Sequence, residues 1–399
     1  MIELYNDIFE RWIRAIDEID MIHKYKEKVK SIKYAPGFRY DVIDYTKSDF
    51  PAGGTLYDQK DDEKLDYHAY GLDQNQLPAY VRFEHRWNKI SWEGFYKYSH
   101  NTIEYIEFCL NTGVPSCIQV AKFKDNRRVS FQHFQLNGRG STYSLVKGEQ
   151  EAFIQRIQND PYSITSKIES YLYEDERIIK ALCCSVSPGI GQFEYEKIYT
   201  YDQDGLTEIR TLYPNGSTQL TYVRLPENLN VQDMINNLAE QMEKSIIDFL
   251  LTQDIEQPIS LLALNYRRGD RYLPHLKVRS LLEKEEITSH YKEADVFELL
   301  FISGFENLLY LEPDQFEYQL QQLTQLMEQN ENYNLGTAML RKAASILTLN
   351  RLDKKLAVSD DFVAYAIDWE MEGQEFEKIL EECGQKPETI ALWKTNKWI

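Results

Sequence analysis

An α+β fold in two parts is what this sequence predicts, and three features predict it. Between Tyr80 and Leu136, aromatic-rich segments alternate apolar and polar residues and are joined by short polar turns, the pattern of an antiparallel meander. Apolar stripes at helical spacing open the chain and recur beyond residue 230. The length, 399 residues, exceeds one ordinary domain, and Pro226–Asn230 reads as the break. We therefore assign residues 1–227 to an antiparallel, β-rich α+β domain with flanking helices. Residues 228–399 form a smaller α/β domain with helices on a short sheet.

The first element is a helix over residues 4–30, where Leu4, Ile8, Trp12, Ile16 and Ile19 share one side and Glu10, Arg14, Asp17 and Glu18 the other. Pro36-Gly37 ends that segment, and residues 38–45 alternate like a strand. Residues 48–66 are polar and broken by Pro51, Gly53 and Gly54, so they read as a long loop carrying Asp58, Asp61, Asp62, Glu63 and Asp66. In residues 80–87, Val81, Phe83, His85 and Trp87 point one way and Arg82, Glu84 and Arg86 the other. Strands follow at 94–100, 102–110, 117–125 and 128–136, rich in the residue types that suit a pleated surface. Helices are expected at 149–159 and 163–173, then strands at 181–186, 194–201, 206–213 and 218–225. Asp202-Gln203-Asp204-Gly205 and Pro214-Asn215-Gly216 are hairpin turns. Residues 68–83 and 197–212 align without gaps, matching Tyr70 with Tyr199 and Asp73 with Asp202, which suggests a shared hairpin unit.

In the second part, Asn230 caps a helix whose stripe is Val231, Met234, Ile235, Leu238, Met242 and Phe249. Residues 258–266 are nearly all apolar, as in a central strand. A strand at 272–278, helices at 295–309, 313–329 and 335–349, a strand at 362–369 and helices at 374–383 and 387–393 complete the reading.

The formal charge of −19 argues against a general nucleic-acid binder, which would be basic, and favours basic partners. No stretch approaches the roughly 20 apolar residues of a membrane span, and the first residues show no secretory signal. The five cysteines lack framework spacing, as expected of free thiols in the cytoplasm.

Chemistry-bearing motifs are sparse in the sequence. His85 and His133 fall on apolar strand faces and could meet, so a metal-assisted hydrolase using them with carboxylates is one alternative. No His-Glu-x-x-His or paired Cys-x-x-Cys motif supports it. Ser187-Pro188-Gly189-Ile190-Gly191 lacks the Lys-Ser/Thr ending of a phosphate loop, and Asn137-Gly138-Arg139-Gly140 reads as a turn first, with an anion nest as its alternative. No catalytic residue, cofactor or metal is assigned. The candidate partner-binding residues are Asp360, Asp361, Asp368, Trp369, Glu370 and Glu372 around the last strand, with Asp61 and Asp62 in the long loop. Their alternatives are a solvated strand end and a solvated loop.

Three stretches carry a resemblance: Pro258-Ile259-Ser260-Leu261-Leu262-Ala263-Leu264-Asn265-Tyr266; Ser359-Asp360-Asp361-Phe362-Val363-Ala364-Tyr365-Ala366-Ile367-Asp368-Trp369-Glu370; and Leu380-Glu381-Glu382-Cys383 through Pro387 to Leu392. With them, residues 230–399 resemble an uncharacterised bacterial domain-of-unknown-function family, from which no catalytic residue carries over. The tyrosine-rich first half resembles, in texture, bacterial polymorphic-toxin immunity proteins. That resemblance implies a non-catalytic cytoplasmic protein that occludes a co-encoded, basic toxin domain. A scaffold or sensor module of a bacterial defence system is a further alternative.

Overall fold

A computed structural model describes residues 2–35, 56–60, 67–84, 89–145, 148–160, 162–187, 189–267, 272–291, 293–303, 308–311, 316–330, 332–368 and 376–399. The backbone divides into two compact units, residues 1–221 and 222–399, six residues before the boundary expected from sequence. Helix and strand mix in an α+β arrangement, with a large antiparallel sheet first and a four-stranded sheet second.

The large sheet runs β1 (Ser31–Ala35), β2 (His68–Leu72), β3 (Pro78–Glu84), β4 (Ser91–Tyr98), β5 (Thr102–Cys109), β6 (Val114–Lys124), β7 (Arg127–Leu136), β8 (Ile164–Glu174), β9 (Arg177–Ser187), β10 (Gly191–Asp202), β11 (Gly205–Leu212) and β12 (Thr218–Val223). These twelve described strands lie side by side in chain order. The pairs from β1 to β11 are antiparallel. Except between β1 and β2 and between β7 and β8, where the connections are longer, short turns join neighbours and favour antiparallel pairing, so most of the topology follows from the turn chemistry.

The aligned segments, 68–83 and 197–212, are both hairpins, and their registers slip at matching positions, Gly71/Leu72 and Thr200/Tyr201. In both, an aspartate shapes the turn. Asp73 Oδ1 accepts from Asn75 N (2.8 Å) and Leu77 N (3.0 Å), and Asp202 Oδ1 accepts from Asp204 N (2.8 Å). The β6–β7 and β8–β9 hairpins slip likewise, at Lys122/Phe123 and Leu172/Tyr173. Their turns use Asp125, Asn126 and Asp175 at positive φ, which these side chains tolerate. One bulged hairpin thus recurs along the meander.

Helix α1 (Ile2–Ala15) packs on β6, β7 and β8 through Ile8, Phe9 and Trp12. Trp12 is fully buried between Phe9, Phe134 and Phe153, and its Nε1 donates to Pro115 O at 2.8 Å. Trp12→Phe keeps the ring contacts but strands that buried carbonyl. It should lower the denaturant-derived stability of the first unit by roughly 2 kcal/mol. Helix α2 (Met21–Lys26) packs separately, on β3 and β4, with Tyr25 stacked on Phe95 at 4.8 Å. The single helix expected over 4–30 is therefore broken after Ala15 by a 3₁₀ turn, Ile16–Glu18. A straight helix could not follow a twisting sheet from β8 to β3. Helix α3 (Gln150–Asn159) adds Phe153 and Ile157 to the same core.

In the second unit β13 (Ile259–Tyr266) is buried along its whole length. It pairs antiparallel with β14 (His275–Ser280) and parallel with β16 (Val358–Asp368), and β15 (Leu308–Tyr310) closes the far side of β14. Helix α4 (Val231–Leu251) starts at Asn230, whose side chain accepts from Gln232 N and Asp233 N. Helix α5 (Leu281–His290) begins with a Ser280/Glu283 capping box. The remaining helices are α6 (Glu293–Phe297), α7 (Glu317–Asn330), α8 (Asn334–Asn350), α9 (Phe376–Glu382) and α10 (Pro387–Thr395). Thr348 of α8 bonds both Ala364 O (3.0 Å) and Ala364 N (2.9 Å), tying helix to sheet.

Several expectations are corrected. The helix expected over 163–173 is instead strand β8, from Ile164 to Glu174: Ile164, Ser166, Ile168 and Ser170 take one face and Lys167, Glu169 and Tyr171 the other. The helix expected over 295–309 is only α6, followed by a π-turn, Glu298–Ile302. There Arg279 donates to the carbonyls of Leu299, Leu300 and Ser303, a tertiary capture that replaces the regular ladder. The last strand begins at Val358, so Asp360 and Asp361 lie within it. The strand expected at 38–45 and the acidic stretch 61–66 lie outside the described residues.

Candidate binding face of the large sheet

Strand alternation gives the large sheet two unlike faces. One carries Phe95, Ile106, Ile118 and Phe134 against α1 and α2. The other carries ionisable groups, many of them buried, held by two ionic clusters.

Glu107 centres the first cluster. It is buried and saturated: Ser116 Oγ (2.7 Å) and Arg139 Nε (3.2 Å) donate to one oxygen, and Tyr105 OH (2.9 Å) and Arg139 Nη2 to the other. Burial pushes its pKa up, but Arg139 with the Ser116 and Tyr105 hydroxyls outweighs that and holds it below the usual carboxylate range. The Arg139 guanidinium lies over the rings of Phe83 (5.0 Å) and Trp92 (4.8 Å). Arg139 has φ 48° in the short 3₁₀ turn Asn137–Gly140, which aims it back at β5. Beside this cluster is a cavity of 290 Å³ lined by His68, Tyr105, Glu107, Cys117, Gln119, His133, Gln135 and Arg139. Burial, and then Lys167, push the His133 pKa down to about 4, so its ring is neutral near pH 7.

Glu169 centres the second cluster. Its Oε1 accepts from Lys197 Nζ at 2.6 Å and faces Lys167 Nζ at 2.9 Å, and its Oε2 accepts from Tyr171 OH at 2.5 Å. Burial opposes the charge of Glu169, but Lys197 and Lys167 hold its pKa well down. Both clusters spend their carboxylates internally, so neither Glu107 nor Glu169 is placed to act as a base.

His133 stands on this face, while His85 lies outside the described residues. Among the described residues no three His, Cys, Asp or Glu side chains are gathered to hold a metal ion. The five cysteines are buried free thiols. Many of the meander's rings, including Phe95, Tyr96, Tyr105, Phe108, Phe131 and Phe134, are buried in packing and unavailable to a partner.

Of the candidate partner-binding residues, Asp61, Asp62, Trp369, Glu370 and Glu372 lie outside the described residues. Asp360 is exposed. Asp361, one residue on, is an internal group: it pairs with the buried Lys284 of α5, and its Oδ1 accepts from Ser359 Oγ at 2.9 Å. Burial raises its pKa, yet Lys284 and Ser359 bring it below the ordinary value. Asp368 sits at the other end of β16, opposite Tyr266, about 23 Å along the strand from Asp361 at the usual rise per residue. These three do not form one cluster. Sequence alone does not reveal the face on the large sheet, because Lys167 and Glu169 fall in the helix expected over 163–173 and Arg139 in the turn expected at 137–140.

No family model matches the chain, and no curated protein does. Among solved structures, a porin-like protein from Bacteroides vulgatus ATCC 8482 is similar at 11% identity, over 41% of this chain and 81% of that one, with a TM-score of 0.21. A superposition that loose carries no argument about this chain. No helix among the described residues is long and apolar enough to cross a membrane.

Proposed function

We propose that this chain acts by binding rather than turnover, as a cytoplasmic immunity protein of the antitoxin type that occludes a basic toxin domain. The observation that carries the reading is where the charge lies. Residues 222–399 hold 31 acidic and 18 basic side chains, a net −13, whereas residues 1–221 hold 33 and 27, a net −6. In the second unit Asp360, Glu285, Glu286, Glu381 and Glu382 are exposed, as are the rings of Tyr291, Tyr310 and Tyr318. Carboxylates speed encounter with a basic partner and reject others, and tyrosines add contact area at low entropy cost. The saturated state of Glu107 and Glu169 supports the non-catalytic half of the reading.

The test is co-expression with the product of the adjacent reading frame, followed by co-purification and calorimetry at two salt concentrations. A complex is expected at about 0.1 M salt, where charges act over roughly 10 Å, with association slowed at higher salt. The triple reversal E285K/E286K/D360K should slow it further. A chain that binds no such product at low salt, and does not protect the host from it, overturns the proposal.

A further inference from the structure

We propose that Lys167 and Lys197 form a binding site for a small oxyanion, a carboxylate or phosphate group, on the face of the large sheet opposite α1. The site is independent of the protein-binding role proposed above, which rests on the second unit.

The argument begins with charge. Two lysines converge on a single oxygen, Glu169 Oε1, at 2.6 and 2.9 Å. Among the described residues Glu169 is the only acid either one pairs with, so the cluster holds two ammonium groups to one carboxylate. Uncompensated charge held away from water is costly, and an anion relieves it. In a chain of net charge −19 this local excess of positive charge runs against composition, and beyond roughly 8 Å salt screens the acidic surroundings at physiological strength.

Geometry supplies the rest. An ammonium has three donors; Lys197 gives one to Glu169 and Lys167 is ion-paired with the same oxygen, which leaves donors on both for a second acceptor. The Lys167 side chain is 32% exposed and that of Lys197 17%, so the pair is reachable from solvent yet partly dry. Lys167 stands directly between His133 on β7 and Ser185 on β9. Ser185 Oγ and Tyr195 OH lie 3.2 Å apart and bring two hydroxyls to the same face. On the other flank, His133 opens into the 290 Å³ cavity, where Gln135 offers a neutral hydrogen-bonding group to the body of a small ligand. Burial and the neighbouring Lys167 push the Lys197 pKa down, against the pull of Glu169, as expected where one ammonium is in excess.

The experiment titrates the full chain with inorganic phosphate and, separately, with acetate at constant ionic strength, read by calorimetry and by melting temperature. Saturable binding of at least one probe is expected. K167Q and K197Q each leave Glu169 with one lysine and should fold, with affinity lower by about tenfold or more, the worth of one charge-assisted hydrogen bond. K167R should retain binding. The probe that binds tighter identifies the head group. Absence of saturable binding by both probes, or binding that survives both Gln substitutions, overturns the site. If the Gln variants do not fold, S185A decides: it keeps both lysines, and unchanged affinity there overturns the proposal equally.

Discussion

Arg139→Met should destabilise the first unit by about 3–5 kcal/mol, the usual cost of leaving a buried charge without its partner. Methionine keeps an apolar stem near Phe83 and Trp92, so packing is largely preserved and the loss isolates the charge. Glu107 would keep only the Ser116 and Tyr105 hydroxyls as partners. The pH profile should change with it. In the native chain the Glu107 pKa is lowered, so its contribution is complete above the unfolded value of about 4.3. It is lost as pH falls through the folded value. In Arg139→Met, burial dominates and the folded pKa rises, so the variant should recover stability on acidification. Urea titrations at several pH values read both effects. The double variant E107L/R139M should recover part of the loss, because removing both partners leaves no buried ion, although two hydroxyls lose their acceptor. A single variant as stable as the native chain would mean that Glu107 is hydrated and the cluster is not a sealed ionic core.

How much of this was legible in the sequence depended on the range of the interaction. The meander follows from local turn chemistry, and Asp73, Asp202 and the Asp125-Asn126 pair announce hairpins within a few residues of where they act. The helical caps are equally local: Asn230 caps through the backbone two and three residues on, and Ser280 with Glu283 carries the same kind of local signal. Strand β8 failed for a physical reason. Ile164, Ile168 and Tyr171 recur at spacings of four and three, which a helix also satisfies, and the charged Lys167 and Glu169 disguised the alternation. The Glu169 carboxylate is tolerated inside because Lys197, 28 residues away, and the Tyr171 hydroxyl join Lys167 around it. The partner of Arg139 is 32 residues distant, so a turn residue in sequence became the anchor of a buried carboxylate in the fold. The candidate face is thus made of long-range pairings, and no local pattern announces them.

The same distinction separates two neighbouring aspartates in the second unit, and substitution should tell them apart. Asp361→Ala leaves the Lys284 ammonium, buried between β16, Trp393 (5.3 Å) and Trp398 (5.4 Å), without its counter-ion. A loss of about 3–5 kcal/mol is expected for the second unit. The native contribution of Asp361 is present above the unfolded carboxylate pKa of about 3.9. It fades as pH falls through the lowered folded value. Asp360→Ala removes an exposed carboxylate and should change stability by no more than about 0.5 kcal/mol. If binding of a basic partner is the function, the effects on association should run the other way, with Asp360 mattering to encounter and Asp361 only through the fold. Measuring unfolding and association for both variants therefore separates a carboxylate that holds the chain together from one that faces its partner. A loss at Asp361 as small as that expected at Asp360 would show that Lys284 does not depend on Asp361.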